Sequence, residues 1–115
     1  MRSSKLSVDL AYAKVIAAFA DDPRSRIGGT NKKAFGASAL RVDNKIFAML
    51  SSKAAFVLKM PKVRVDELIN QGRGVRFEPR EGRPMKEWIQ MTEEPNVKEW
   101  VKLAKEAQLF VGGQP

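Results

Sequence analysis

Three groups of residues in this chain are of types and spacings that could do chemistry. Glu78, Glu81 and Glu87 lie close together around Gly82, and neighbouring carboxylates can share general acid and base work. Each has a basic neighbour in Arg80, Arg83 or Lys86, so surface ion pairing is the simpler expectation. Asp21 and Asp22 stand side by side before Pro23, as a hard-cation site or, more simply, as solvated turn residues. The third group is RSRIGGTNKK, residues 24 to 33, with four basic residues around Gly28-Gly29. Amides exposed in a glycine turn can cradle an anion. The spacing G-x-x-x-x-G-K-[ST] is absent, which leaves nucleotide hydrolysis unsupported and a plain basic loop as the expectation.

The chain has neither histidine nor cysteine. It therefore lacks the commonest general acid/base near neutral pH, the commonest metal ligand, and all thiolate and disulfide chemistry. The expectation is a non-enzymatic protein with no catalytic residues, no metal and no cofactor.

Charge points elsewhere. The formal net charge is +8, and its distribution is uneven. Residues 24 to 64 hold ten basic residues and one acid, Asp43, a balance of +9; the rest holds 11 basic and 12 acidic residues, a balance of −1. A contiguous basic third suits an anionic partner, and lysine and arginine neutralise phosphates without reading base sequence. The candidate nucleic-acid contacts are Arg24, Arg26, Lys32, Lys33, Arg41, Lys45 and Lys53. The bland alternative is that these residues serve solubility. In a meander, turns at 43–44 and at 51–53 emerge at opposite edges, so sequence leaves open whether the charges form one patch.

Periodicity supplies the elements that would hold these groups. Leu6 to Ala20 reads as a helix with Val8, Ala11, Tyr12, Val15 and Phe19 on one face, Ser4 or Ser7 as cap, and Asp21-Asp22-Pro23 as stop. Phe35–Val42 and Lys45–Leu50 read as strands joined at Asp43-Asn44, two residues that tolerate a left-handed turn. Ala54–Met60 follows as a third strand, with Phe56, Leu58 and Met60 alternating with Ala55, Val57 and Lys59. Pro61 opens a second helix on Val65, Leu68 and Ile69, with Gly72 as its stop. Gly74–Glu78 and Met85–Met91 read as strands, with Val75 and Phe77 inward and with Met85, Ile89 and Met91 on one face. A last helix starts at Pro95 or Asn96, where Asn96 and Glu99 have capping-box spacing. It runs to about Phe110 on a stripe of Val97, Trp100, Val101, Ala104 and Gln108.

The expected fold is α+β, a two-layer α/β sandwich. One antiparallel five-stranded sheet carries helices mainly on one face, in the order α-β-β-β-α-β-β-α. Residues 1 to 115 form a single domain. The longest apolar run, Val15 to Ala20, is far too short for a membrane span, and a cytoplasmic location with no membrane partner is expected. A sheet covered on one side leaves its other face for a partner. Phe47, Met49, Val57 and Trp88 are the candidate interface of a homodimer, the alternative to a nucleic-acid partner. No small-molecule substrate is indicated.

Several segments, in order, resemble the small bacterial proteins related to the TfoX N-terminal domain and to MmcQ/YjbR. They are FGASALRVDNKIFAML (35–50), AFVLKMP (55–61), RVDELI (64–69), GRPMKEWI (82–89) and WVKLAKEA (100–107). The likeness spans roughly residues 35 to 110 and implies a two-layer fold with an antiparallel sheet. It also implies a DNA-binding or transcription-related label. Full-length TfoX-type regulators have a second, C-terminal domain that these 115 residues do not include, so a role in competence is not implied. Asn44 stands where the family has glycine, and asparagine adopts the same left-handed turn.

Overall fold

In a computed structural model the described residues are 7–27, 39–43, 45–51, 55–78 and 85–113, with Arg26 and Ile27 described in backbone alone. The architecture is α+β, with one antiparallel sheet and three helices. All five strands read from sequence are present. A further short strand lies at the sheet edge, where the basic segment 24–33 reads as loop. In chain order the elements are α1 (Val8–Ala18), β1 (Ser25–Ile27), β2 (Leu40–Val42), β3 (Lys45–Leu50) and β4 (Phe56–Lys59), then α2 (Lys62–Asn70), β5 (Gly74–Arg76), β6 (Trp88–Met91) and α3 (Val97–Gly112). Phe35 to Ser38 and Asn44 lie outside the described residues. The sheet order is β1-β2-β3-β4-β6-β5, every neighbouring pair antiparallel. The last strand thus inserts between β4 and β5 after the α2 crossover.

Local chemistry sets the ends of these elements. The Ser7 hydroxyl accepts from Leu10 N at 3.1 Å and caps α1. Asn96 Oδ1 accepts from Glu99 N at 3.1 Å and caps α3. Asp43 adopts φ 52° at the β2–β3 turn, the left-handed conformation that asparagine and aspartate tolerate best after glycine. Gly72, at φ 74°, ends the turn after α2.

All three helices pack on one face of the sheet. Their shared core holds Ala11, Tyr12, Val15 and Phe19 of α1, Val65 and Leu68 of α2, and Trp100, Leu103, Ala104 and Ala107 of α3. The sheet answers with Leu40, Val42, Phe56, Leu58, Ile89 and Met91. Trp100 stacks on Phe56 with ring centroids 4.2 Å apart and planes at 22°, an offset-stacked geometry worth more than area alone. Leu103 and Ala107 belong to this stripe as much as the residues read from sequence.

A β-bulge decides which side of β3 faces the helices. Leu40 pairs with Ala48, but the next residue, Arg41, pairs with Ile46. Phe47 is the extra residue, and the bulge sends both Phe47 and Ala48 to the helix side. Strict alternation places Phe47 beside Met49 on the open face; instead its side chain is 0% exposed, 5.5 Å from the Phe19 ring. Phe47 is therefore a core residue and not part of an exposed interface.

Two other assignments change for reasons of register. Val75 pairs with Gln90 and Arg76 with Ile89, so Arg76 lies on the helix side while Val75 is exposed on the open side. Arg76 Nη2 donates to Asp66 Oδ1 of α2 at 2.8 Å. Residues 85–87 form a turn closed by Trp88 N donating to Met85 O at 3.2 Å. Met85 is consequently exposed and does not share the face of Ile89 and Met91. Among the described residues no helix is long and apolar enough to cross a membrane.

Truncating a fully buried phenylalanine removes its transfer free energy and leaves a cavity. Phe47→Ala should therefore destabilise the fold by about 3–5 kcal/mol, read as a lower urea midpoint. A change in oligomeric state at unaltered stability would contradict this placement.

Candidate nucleic-acid interface on the open sheet face

The face away from the helices has its own small apolar cluster. Ala39, Met49, Val57 and Phe77 are buried there, with Ile46 and Trp88 half-buried against them. Strand register produces this directly: Met49 pairs with Val57, Val57 with Gln90, and Lys59 with Trp88. Phe77 N donates to Trp88 O at 3.0 Å, which brings the two rings to 6.4 Å in a tilted arrangement. Val57 is 0% exposed, packed with the aromatic and methionine side chains of this cluster.

Beside this cluster lies a concavity of about 450 Å³. Its floor is Ile46, Met49, Phe77, Met85 and Trp88, with Val111 of α3 at one end. Three cations stand around it: Arg41, Lys45 and Lys59. Lys59 Nζ lies 5.8 Å from the Trp88 ring centroid, within cation–π range. Among the described residues neither Lys45 nor Lys59 enters an ion pair, and Lys45 is exposed while Lys59 is half-exposed. The register explains the convergence. Arg41 and Lys45 flank the β2–β3 turn, and antiparallel pairing brings the C-terminal end of β4, with Lys59, to that same end of the sheet.

The fates of the basic residues singled out from sequence differ. Arg41 and Lys45 are brought together at the groove. Lys32, Lys33 and Lys53 lie outside the described residues, as does the side chain of Arg26. Arg24 is held in a structural role: its Nη2 donates to Gly112 O at 3.2 Å and to Gly113 O at 2.9 Å. A guanidinium so placed satisfies the last carbonyls of α3 and sits favourably at the negative end of its dipole. Of the interface residues, Met49, Val57 and Trp88 do occupy the open face. Lys59 is the member that a search of turns and loops passes over, yet its alternation with Val57 already puts it on this face.

Most carboxylates fall elsewhere, while Glu87 lines an adjoining concavity with Lys59, Met85 and Trp88. Asp22 is a tie between elements: Oδ1 accepts from Arg24 N at 2.8 Å and Oδ2 from Gln108 Nε2 at 2.7 Å. The same Gln108 nitrogen also donates to Ser25 Oγ at 2.7 Å, so the one polar residue in the α3 stripe pins β1. The Gln108 hydrogen bond, then that from Arg24 N, holds the Asp22 carboxyl below the usual carboxylate range. Glu78 and Glu87 are exposed, and Glu81 lies outside the described residues. On the helix side, Asp66, Glu67, Glu93, Glu99 and Glu106 are all in ion pairs with Lys62, Arg64, Arg73, Arg76 or Lys102. Among the described residues no group of three or more acidic side chains could hold a metal ion. The arrangement can therefore attract an anion at the groove and offer it an apolar, aromatic floor.

No family model, curated protein or solved structure matches the chain.

Two outcomes follow from these ties. Arg24→Ala should lower stability by about 1–2 kcal/mol by leaving α3 carbonyls without their donor, and should leave anion affinity unaltered. Equal stability with weakened anion binding would reverse the assignment. The Asp22 carboxyl binds protons less readily folded than unfolded. Its contribution to stability is full above the ordinary carboxylate range and drains away as pH falls through and below it. The stability gap between the native chain and Asp22→Asn, from urea titrations across acid pH, should accordingly narrow toward low pH. A gap independent of pH would refute it.

Proposed function

We propose that this is a small non-enzymatic protein that binds nucleic acid through the open sheet face, with little sequence preference. The observation that carries this reading is the convergence of Arg41, Lys45 and Lys59 around one concavity. They stand around an apolar floor, while the acids of α2 and α3 are already engaged with other cations. Cations focused in a concavity raise the local concentration of an anionic ligand, and phosphates give up condensed counterions when they bind there. The ordered series of segments that resembles the TfoX N-terminal and MmcQ/YjbR group supports the same reading. That resemblance brings with it the group's DNA-binding, transcription-related label.

Two features favour an anionic partner over a homodimer. A second copy whose two-fold axis passes through the groove would bring the same three cations against their counterparts. Val57 and Met49 are also already buried within the chain, so less apolar surface is left in need of cover.

Fluorescence anisotropy with labelled nucleic acid of mixed sequence, in either strand form, tests the proposal. Binding at low salt should weaken as salt rises, with a log–log slope of about −2 to −3 for three phosphate contacts. Paired charge reversal, Lys45→Glu with Lys59→Glu, should weaken it at least about tenfold without loss of fold. Absence of binding in both strand forms at low salt would sink the reading. A dimer dissociated by a polar change at Met49 or Trp88 would favour self-association in its place.

A further inference from the structure

We infer that the groove selects single-stranded nucleic acid over duplex, with a base laid on Trp88 and its flanking phosphates against Arg41, Lys45 and Lys59. This rests on the nucleic-acid reading above and adds the strand form. A duplex keeps its bases stacked on one another and presents phosphate and sugar outward. It could satisfy the three cations but would place nothing apolar against Ile46, Met49, Phe77 and Trp88, and that floor would stay wet. An unpaired base has a free π face, and stacking on an aromatic side chain is the main sequence-tolerant source of single-strand affinity.

The geometry suits this division of labour. Trp88 is half-buried, so one part of the indole seals Val57 while another borders the concavity. Lys59 lies 5.8 Å from the same ring, which places a phosphate-binding cation and a stacking platform within the reach of one nucleotide. The other cations, Arg41 and Lys45, line the same concavity at the β2–β3 turn, available to the neighbouring phosphates. The described lining carries no amide or hydroxyl side chain, and stacking on its aromatic contact is sequence-tolerant because every base has a π face. The preference is therefore for strand form more than for sequence. A volume of about 450 Å³ open to solvent has room for a flat base.

The test compares anisotropy of a labelled mixed-sequence strand of about twelve nucleotides with that of the same strand annealed to its complement, at equal salt. The native chain should bind the single strand roughly tenfold or more tightly than the duplex. Trp88→Leu keeps apolar cover over Val57 but removes the π face; it should abolish that ratio by weakening single-strand binding alone. Trp88→Phe should retain most of it. Equal or tighter duplex binding by the native chain overturns the inference and leaves the nucleic-acid reading standing. So does a Trp88→Leu variant that retains the full ratio. Absence of binding in both forms overturns the two together. The native ratio and Trp88→Phe decide the matter even if Trp88→Leu fails to fold.

Discussion

The seating of α3 across the middle of the sheet is the constraint on which the other elements depend. Trp100 lies flat on Phe56, and the helix carries its buried stripe over β2, β3 and β4 while α1 packs along its side. The polar ties converge on the same helix. Gln108 reaches Asp22 and Ser25, Gly112 and Gly113 receive Arg24, and Glu106 and Glu99 pair with Arg64 and Arg73. Strand β1, helix α2 and the turn before β5 are each attached through it. With all three helices drawn to this side, the described side chains of the opposite face come mainly from β-strands and the segments that flank them.

That one-sidedness also sorts the charge. The exposed ion pairs around α2 and α3 each contribute little to stability, but they take up the acids of those elements and leave that side close to neutral. The open face has no comparable supply of carboxylates among its described groove residues, so its cations act together on whatever approaches. The uneven charge along the chain thus becomes an uneven field around the molecule. The contributors differ from those the sequence marks most loudly, since the loop-like basic stretch donates Arg24 to a helix end while Lys59 joins from the end of β4.

The open face has to be stable as well as accessible. Met49, Val57 and Phe77 are buried there without a helix above them, and Trp88 and Ile46 both shield them and form the groove floor. The same indole therefore serves packing on one edge and a binding surface on the other. The bulge at Phe47 makes this compatible with a strong helix-side core. It moves the largest side chain of β3 to that core and leaves the smaller, flexible Ile46 and Met49 outside.

Much of this protein is written in local pattern. The α+β class, the order of the main elements, the caps at Ser7 and Asn96, the left-handed turn at Asp43 and the open-face placement of Met49, Val57 and Trp88 all follow from spacing and residue type. These depend on periodicity and on short-range hydrogen bonds that neighbouring residues make for themselves. Other features needed the assembled chain. The bulge is a property of how β3 meets β2, so no pattern within β3 alone could move Phe47 to the core. Strand β1 exists because Leu40–Val42 offers an edge and Gln108 of α3 holds Ser25, partners far away in sequence. Arg24 and Asp22 look like binding groups by type, and only the arrival of the α3 terminus shows them to be ties. The sequence by itself determined that excess positive charge and a tryptophan in the last strand would both be present; antiparallel pairing of β2, β3, β4 and β6 decided that they share one groove, because only pairing sets distant residues side by side.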